Sequence, residues 1–345
     1  DLVYIIFTSG TTGKPKGVMV PQSCVVNLII QDYDGILVIK PGKKVLLLFS
    51  IAFDGQSVIS ILLSSLSEIH DRLRRDYFNS MCNGGTIIMA TSDDYTEKAT
   101  KCEAIIITPT ILATMDSPDQ YPNLREIWMG GEAPNVNLIK LWSSPACKIY
   151  NCYGPTECTT AISSIEMRPD TPIFLGGVIP GIEIVLLDEN LEEAEAGEIC
   201  IRGPCLATGY LNNEVLTRQR FITWKGQRHY RSGDLAKKIP GGFAFIGRID
   251  LQVKNRGFLI NLETEVVPAL LSFPGVHSAA AIMHDSRLIG FVTPSTISPQ
   301  SLRKELAKKC DSFIVPDVVL PLERLPITSN QKIDTAALKS IITEE

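Results

Sequence analysis

The sequence predicts an α/β protein in which a large domain is followed by a small α+β domain, and three observations support this. Short apolar segments alternate with amphipathic ones through most of the 345 residues, which is typical of strands covered by helices. Glycines and prolines become frequent over residues 174–209, which indicates a smaller β-rich module in the same domain. The pattern changes again near Asp250, so we place the domains at residues 1–249 and 250–345.

Each predicted strand is a short apolar run bounded by polar or turn residues. In the large domain these runs are Val45–Phe49, Thr86–Ala90, Ala104–Thr108, Glu126–Met129 and Lys148–Asn151, and the β-rich module adds Glu183–Leu187 and Glu198–Ile201. The small domain is predicted to contain a helix at Glu263–Leu271, strands at Ala279–Met283 and Leu288–Thr293, and a helix at Pro299–Cys310.

The first strand and the loop after it are the most informative stretch of the chain. Val3–Phe7 is β-branched and aromatic, which predicts a buried strand. It leads directly into Thr8–Gly17, where three glycines, four hydroxyl side chains and two lysines suit a phosphate group. The Walker A spacing is absent, because Pro15 follows Lys14. An ordinary polar surface loop is the alternative that composition leaves open.

Composition excludes several classes of function. The net charge of −5 leaves no basic surface for nucleic acid or an anionic membrane, and the longest apolar run, Val45–Phe53, is too short to span a bilayer. Nine cysteines without a C-x-x-C pair predict reduced thiols in a cytoplasmic protein, and four dispersed histidines do not indicate a metal cluster. The chain starts at Asp1 without methionine, so we expect an N-terminally truncated part of a longer protein.

Three later loops carry residue types that suit a nucleotide and its metal. Asn151–Glu157 follows a strand and combines an aromatic ring, which can stack on a base, with a carboxylate, which can hold Mg²⁺. Tyr230–Asp234 presents an acid beside a glycine, the kind of group that accepts ribose hydroxyls. Gly247–Asp250 places an arginine just before the predicted domain boundary. Each segment alone is more often a simple turn than a site.

Taken together and in order, six segments give the chain a resemblance to the adenylate-forming enzymes. The nearest branch is the adenylation domains of nonribosomal peptide synthetases, and several phrases resemble fungal members. The segments are Thr8–Gly17, Asn151–Glu157, Gly197–Arg202 with Gly209–Tyr210, Tyr230–Leu235, Gly247–Gly257 and Leu325–Asp334. The resemblance covers nearly the whole chain, and it implies a large domain of βαβ-layered sheets that lacks its N-terminal part, joined to a small hinged domain.

The resemblance implies how ATP is bound. The first loop would grip the β- and γ-phosphates through Thr8, Ser9, Gly10, Thr11, Thr12, Gly13, Lys14 and Lys16. In the second loop, Tyr153 would face the adenine, with Asn151 and Gly154 beside it. Thr156 would touch the α-phosphate or the bound acid, and Glu157 would hold Mg²⁺.

The later segments imply ribose, hinge and catalytic residues. Asp234 and Arg248 would fix the ribose, and Asp250 would be the hinge on which the small domain turns. Lys332 would bridge the substrate carboxylate and the phosphate. Gln331 stands where the family usually has glycine before this lysine, and we expect it to disfavour the tight turn that presents Lys332.

The resemblance also implies a pocket for an amino acid. Asp54 would accept a hydrogen bond from the ammonium group of the substrate, and a helix-capping role for Asp54 stays open. The cavity for the side chain would be lined by Trp128, Gly130, Cys152, Thr160 and Ala161. The chain after Asp54 is longer than the family spacing. We interpret Gly55–Arg75 as containing an insertion, such as translated non-coding sequence.

These roles predict an amino-acid adenylating ligase that uses ATP and Mg²⁺. It would pass the activated amino acid to the phosphopantetheine thiol of a carrier domain, within a larger synthetase that also has condensation domains. One alternative is an acyl- or aryl-CoA ligase of the same superfamily, which Asp54 disfavours because such substrates lack an ammonium group. The other is an inactive remnant acting at most as a scaffold, which the truncation, the insertion and Gln331 favour.

Overall fold

The computed structural model describes residues 1–8, 15–25, 42–47, 86–91, 93–132, 134, 136–170, 173–256, 258–328 and 332–343. The chain divides into two compact units, Asp1–Phe245 and Ile246–Glu345, so the division falls a few residues before the boundary that the sequence predicts. Among the described residues, no helix combines the length and the apolar character needed to cross a membrane.

The chain begins in a small antiparallel sheet. Its strands are β1 (Leu2–Thr8), β2 (Lys16–Pro21) and β12 (Gly209–Tyr210), in the order β1-β2-β12. The strand after Asp1 is therefore confirmed, but its predicted burial is wrong: Ile5 and Phe7 are 39% and 57% exposed, whereas Ile6 is buried. Among the described strands β1 lies at the edge of its sheet, and an apolar run does not reveal whether its strand lies at an edge.

A mixed seven-stranded sheet forms the α/β part of the first unit. Its strands are β3 (Lys44–Leu47), β4 (Thr86–Met89), β5 (Ala104–Ile107), β6 (Glu126–Gly130), β7 (Lys148–Tyr153), β8 (Ser163–Met167) and β9 (Gly177–Val178). The order is β4-β3-β5-β6-β7-β8-β9, parallel as far as β7 and antiparallel beyond it. The helices are α1 (Tyr95–Ala99), α2 (Pro109–Leu112) and α3 (Val136–Trp142). The predicted α/β class is confirmed.

The β-rich module of the first unit is a five-stranded antiparallel sheet. It consists of β10 (Glu183–Leu187), β11 (Ala196–Arg202), β13 (Phe221–Trp224), β14 (Gln227–Ile239) and β15 (Gly242–Arg248), with helix α4 (Glu214–Arg220) before β13. The order is β10-β11-β14-β13, and β15 also pairs with β14. One apolar core joins this sheet to the small first sheet, because Val18 of β2 packs in the same cluster as Ile199 and Tyr230. The core thereby brings β2 close to β11 and β14.

The second unit is an α+β arrangement with its own apolar cores. Its strands are β16 (Gln252–Asn255), β17 (Phe258–Asn261), β18 (Ser278–His284), β19 (Arg287–Thr293) and β20 (Val318–Pro321). Its helices are α5 (Val267–Leu271), which follows a π-helical turn at Leu262–Val266, α6 (Pro299–Lys309) and α7 (Thr335–Thr343). Strands β18, β19 and β20 form one sheet, and β16 pairs with β17.

Candidate active site

The loop after β7 contains many of the predicted site residues, and a glycine shapes it. A Cβ atom on Gly154 would lie 2.5 Å from the Thr160 carbonyl oxygen and 2.6 Å from the Ala161 Cα. The Ile162 amide donates to the Tyr153 carbonyl at 2.8 Å and closes the loop. Glycine is therefore required at position 154 for space. The turn brings Thr160 and Ala161, predicted to line the amino-acid pocket, next to Tyr153, predicted to face the adenine.

Two consecutive threonines at the end of this loop adopt an uncommon backbone conformation. Thr159 and Thr160 have φ angles of 60° and 72°, in the left-handed region that β-branched residues rarely occupy. The Thr159 hydroxyl donates to the Cys205 carbonyl at 2.9 Å, which helps to hold this shape. The Thr160 hydroxyl is buried and has no hydrogen-bond partner within the described part of the chain. Strain combined with an unsatisfied buried hydroxyl is more typical of a binding site than of a structural turn.

Glu157 lies at the centre of a buried charged cluster. Its side chain belongs to the short 3₁₀ turn Thr156–Cys158, and the residue is 4% exposed. Lys16 Nζ donates to Glu157 Oε1 at 2.8 Å, and the Tyr210 hydroxyl donates to the same oxygen at 2.6 Å. Lys16 Nζ also lies 4.8 Å from the centre of the Tyr210 ring. The last lysine of the first loop thus contacts the predicted magnesium ligand, 141 residues away in sequence.

Electrostatics keep the Glu157 carboxylate charged. Burial alone would raise the pKa of Glu157, but the charge of Lys16 and the hydrogen bonds from Lys16 and Tyr210 outweigh burial and lower the pKa. Burial and the neighbouring carboxylate raise the pKa of Tyr210, so its phenol keeps its proton and remains a donor. The cluster therefore presents an ionised carboxylate that is largely removed from water.

A second buried carboxylate, Asp234, is bonded to the same loop. The Tyr153 hydroxyl donates to Asp234 Oδ2 at 2.6 Å, and Asp234 is 5% exposed. Burial, followed by the charge of Asp234, raises the pKa of Tyr153 well above its usual value, so the phenol stays protonated. The structure therefore brings together the residue predicted to face the adenine and the acid predicted to bind the ribose.

Extra residues in β14 place Asp234 in this position. Glu198 of β11 lies opposite Leu235, and Cys200 lies opposite Arg231, so residues 232–234 of β14 face a single residue of β11. This irregularity is a bulge, which re-aims side chains that regular pairing would point elsewhere. Gly233 occurs within it with a φ of 79°, a conformation that favours glycine.

Glu198 supports the bulge from the neighbouring strand. Its Oε1 accepts the Gly233 amide at 2.9 Å, and its Oε2 accepts two N–H groups of Arg231 at 2.8 and 2.6 Å. The Ser232 hydroxyl donates to the Ile199 carbonyl at 2.8 Å. Both the backbone and the side chains of the bulge are thus fixed to β11. Asp234 consequently projects from a rigid base.

Several residues predicted to line the amino-acid pocket lie on one face of the seven-stranded sheet. Trp128 and Gly130 are two residues apart on β6 and therefore lie on the same face of the sheet, and Cys152 of β7 pairs with Gly130. Trp128 stacks on Tyr150, with 4.1 Å between the ring centroids, and its indole N–H donates to Glu126 Oε2 at 3.0 Å. Burial raises the pKa of Cys152 to about 12, so this thiol packs as an apolar group. We name this face, with Trp128, Gly130 and Cys152, the pocket face.

Other predicted site residues lie outside the described part of the chain. They are Ser9, Gly10, Thr11, Thr12, Gly13, Lys14, Asp54, Gln331 and the segment Gly55–Arg75. The two ends of the first loop are described: Thr8 lies opposite Lys16 in the β1–β2 hairpin. The Thr8 hydroxyl is buried and has no partner among the described residues. Asn151 of β7 is also described, and its side-chain amide donates to the Phe174 carbonyl at 3.2 Å.

The predicted residues of the second unit form two local arrangements. The Arg248 guanidinium donates to both carboxylate oxygens of Asp250, at 2.8 and 3.1 Å. The residues predicted to bind ribose and to form the hinge are therefore bonded to each other. Lys332 is exposed, and its carbonyl accepts the Thr328 amide at 2.8 Å. Asp334 then caps helix α7 by accepting the Ala336 amide at 3.0 Å.

The geometry of the first unit agrees with what comparison with known proteins finds. The family model described as AMP-binding enzyme matches residues 1–211, which is more than half of the chain. This chain belongs to the AMP-binding enzyme family. It is 46% identical over its whole length to the nonribosomal peptide synthetase sirP of Leptosphaeria maculans, and 42% identical over 98% of its length to the nonribosomal peptide synthetase tcpP of Claviceps purpurea. The chain spans 15% and 16% of the length of these two relatives.

Two solved structures share the fold of this chain. A four-domain nonribosomal peptide synthetase bound to AMP and glycine matches with a TM-score of 0.76 and 26% identity, over 98% of this chain and 26% of that one. The structure of IdnL7 matches with a TM-score of 0.79 and 23% identity, over 100% of this chain and 68% of that one. The resemblance to adenylate-forming enzymes, with the nonribosomal peptide synthetases as the nearest branch, is confirmed.

Sequence reasoning missed two residues that organise this AMP-binding chain, Tyr210 and Glu198. Both lie in segments that carry the resemblance, but the sequence assigned neither of them a role. A signal for Glu198 was available, because an acid inside an apolar strand such as Gly197–Arg202 needs a charged or hydrogen-bonding partner when it is buried. Tyr210 gave no comparable signal, since the sequence does not show which distant group a buried tyrosine hydroxyl bonds to.

The residues around Glu157 fit a magnesium ion that arrives with a nucleotide. Magnesium prefers oxygen ligands and commonly takes one or two carboxylates together with phosphates and water. Within the described residues, no three His, Cys, Asp or Glu side chains come together as a metal site made by protein alone. A single ionised carboxylate such as Glu157 therefore suits an ion whose remaining ligands are phosphate and water.

Proposed function

We propose that this chain is an adenylation domain of a nonribosomal peptide synthetase, which uses ATP to activate an amino acid as its aminoacyl-adenylate. The observation that supports this most is the buried cluster that joins Lys16 and Glu157, beside the bonded pair Tyr153 and Asp234. These residues come from distant parts of the sequence, and they are the types that bind phosphate, metal, base and ribose. A relative that is 46% identical over the whole chain is a nonribosomal peptide synthetase.

The proposed reaction needs positioning and charge neutralisation rather than a protein nucleophile. A carboxylate oxygen of the amino acid attacks the α-phosphorus of ATP, and the bond from this phosphorus to the leaving pyrophosphate breaks. Lys16 neutralises phosphate charge, and Asp234 accepts hydrogen bonds from the ribose hydroxyls. Glu157 would hold Mg²⁺, which would supply further charge neutralisation. Tyr153 offers its ring to the adenine while its hydroxyl stays on Asp234.

The substrate side of the proposal keeps the residues that the resemblance implies. Asp54 accepts a hydrogen bond from the ammonium group of the amino acid. Lys332 bridges the carboxylate of the amino acid and the phosphate of ATP. The side chain of the amino acid enters a cavity on the pocket face, bounded also by Thr160 and Ala161. The adenylate then passes its acyl group to the phosphopantetheine thiol of a carrier domain, next to condensation domains in a longer synthetase. This view is supported by relatives that are several times longer than this chain.

Amino-acid-dependent exchange of pyrophosphate into ATP tests the proposal. We expect exchange with a small subset of the amino acids and none with fatty or aryl acids, since Asp54 pairs only with an ammonium group. Exchange with a fatty or aryl acid and with no amino acid would instead identify an acyl- or aryl-CoA ligase. A version in which Gly55–Arg75 is shortened to the family spacing shows whether that segment limits the rate.

Calorimetric titration with ATP and Mg²⁺ separates a slow enzyme from an inactive remnant. We expect binding in the micromolar range, because the nucleotide-binding residues of the first unit are already in contact with one another. Absence of both binding and exchange would favour the remnant acting as a scaffold. Lys332→Ala serves as the reference variant, and it should lose exchange but keep nucleotide binding.

A further inference from the structure

Tyr210 is the rigid donor of the Glu157 cluster. It is 2% exposed, and its ring packs edge-on against Phe221 with 5.9 Å between the centroids. Its backbone pairs with Val18 of β2, and its amide donates to the Thr217 hydroxyl at 2.9 Å. A side chain with so little freedom keeps its hydroxyl in one place. That hydroxyl lies 2.6 Å from Glu157 Oε1.

Lys16, the other donor to Glu157, is less constrained. Its side chain is long and 21% exposed, and it belongs to the end of the first loop. In the proposed function, bound phosphates compete with Glu157 for the Lys16 ammonium group. The neutral phenol of Tyr210 does not face this competition. Tyr210 is therefore the donor that stays on Glu157 when a nucleotide binds.

We infer that Tyr210 is a positioning residue for magnesium-dependent nucleotide binding, because its hydroxyl fixes the Glu157 carboxylate in one orientation for the metal. This inference rests on the proposed function. Tyr210 acts through Glu157 and needs no contact of its own with the metal or the nucleotide. Residues that orient a metal ligand in this way typically contribute tenfold or more to metal affinity.

The two halves of the Tyr210 side chain have separate effects, which makes the inference testable. The ring packs in the core and lies 4.8 Å from the Lys16 ammonium group, whereas the hydroxyl donates to Glu157 at 2.6 Å and accepts a longer hydrogen bond from Lys16 Nζ at 3.3 Å. Tyr210→Phe removes the hydroxyl and keeps the ring. Tyr121, which is 3% exposed and packs against Trp142 in another core cluster, provides the matched control Tyr121→Phe.

The experiment measures Mn²⁺ binding together with α,β-methylene ATP, which cannot form an adenylate, by the electron paramagnetic resonance of free Mn²⁺. A second titration measures AMP binding in EDTA, where no metal takes part. For Tyr210→Phe we expect Mn²⁺ affinity to fall about tenfold and AMP affinity to stay unchanged. Tyr121→Phe should match the wild-type chain in both titrations.

Two results would overturn the role of Tyr210 as a positioning residue. One is wild-type Mn²⁺ affinity in Tyr210→Phe, and the other is an equal loss of Mn²⁺ and AMP affinity, which would mark a merely structural role. A wild-type chain that binds neither ligand overturns the proposed function, and the inference with it. If Tyr210→Phe does not fold, Tyr230→Phe takes its place, because Tyr230 interacts with the Tyr210 hydroxyl. We then expect Mn²⁺ affinity to fall while AMP affinity stays unchanged, and unchanged Mn²⁺ affinity overturns the inference.

Discussion

Two regions of the first unit are held together by different forces: the pocket face, and the predicted nucleotide-binding residues around Glu157 and Asp234, which we name the nucleotide side. On the nucleotide side, the buried carboxylates of Glu157 and Asp234 accept short hydrogen bonds from donors far away in sequence. On the pocket face, Trp128 is held by stacking on Tyr150, and the Cys152 thiol packs as an apolar group. The first region depends on charge and donor geometry, and the second on shape and volume.

This difference predicts how each region responds to substitution. Where charge and donors dominate, a change that keeps volume but removes one proton or one charge should alter ligand binding. Where packing dominates, the same kind of change should have little effect, and a loss of volume should reduce stability. Variants chosen from each region therefore test whether the two regions differ in this way.

The largest effect is expected on the pocket face from Trp128→Ala. Removing the indole leaves a cavity against Tyr150, and the free energy of unfolding should fall by about 3 to 5 kcal/mol. Urea unfolding followed by circular dichroism measures this. Trp224→Ala is the control, since Trp224 is only partly buried and its removal should lower the free energy of unfolding by less. A loss below about 1 kcal/mol for Trp128→Ala would contradict the role of packing.

On the nucleotide side, Glu157→Gln should slow pyrophosphate exchange about 100-fold with little change in the shape of the side chain. The charge that is proposed to hold the metal is lost, and Lys16 loses its ion-pair partner. The exchange rate at saturating amino acid measures this effect. Glu166→Gln is the matched control, because Glu166 pairs with Lys148 and Arg168 away from the site and should leave the rate unchanged. Equal exchange rates for the two variants would show that the nucleotide side does not depend on the charge of Glu157.

A smaller effect is expected from removing one hydroxyl, Tyr153→Phe. The ring that is proposed to face the adenine remains, but Asp234 loses the donor at 2.6 Å, so the KM for ATP should rise about fivefold with kcat nearly unchanged. Steady-state exchange kinetics separate the two constants. Tyr150→Phe on the pocket face keeps its stack with Trp128 and should not change the KM for ATP. A similar rise in both variants would remove the distinction between the regions.

The smallest effect concerns a carboxylate that is less buried, Asp317 of the second unit. Burial alone would raise its pKa, but the Leu288 amide and the Arg256 guanidinium outweigh burial and lower the pKa below 3.8. A lowered pKa in the folded state stabilises the fold above the unfolded value, and this stability is lost as the pH falls through the folded pKa. Asp317→Asn should therefore reduce stability by about 1 kcal/mol at pH 7 and less near pH 3.

Thermal unfolding at the two pH values measures the effect of Asp317→Asn. Asp311→Asn is the control, because Asp311 is an exposed aspartate of the same unit. The difference between the two variants should shrink as the pH is lowered. A difference that is independent of pH would show that Asp317 acts through shape rather than through charge.

Strands of the seven-stranded sheet were predictable because continuous apolar runs are enough to identify buried parallel strands. The predicted Ala104–Thr108 and Glu126–Met129 differ by one residue at one end from β5 and β6. The burial of β1 was not predictable. An apolar run such as Val3–Phe7 gives the same pattern in a central strand and in an edge strand, and only the partners decide between them.

The candidate site also contains residues that the sequence could predict and contacts that it could not. Segments that resemble family motifs pointed to Glu157 and Asp234, because these motifs are local in sequence. The hydrogen bond from Tyr210 to Glu157 spans 53 residues, and the one from Gly233 to Glu198 spans 35. Such pairs depend on how the sheets pack together. Local sequence pattern does not contain that information.

The bulge of β14 also determines how this chain can be recombined with its relatives. In a chimera of two related sequences that is joined between β11 and β14, Gly233 would come from one parent sequence and Glu198 from the other. The hydrogen bond between the bulge and Glu198 would then depend on both parents. Residues 198–235 form the block that carries Asp234 together with its support. Chimeras cut outside this block inherit Asp234 and its support from one parent.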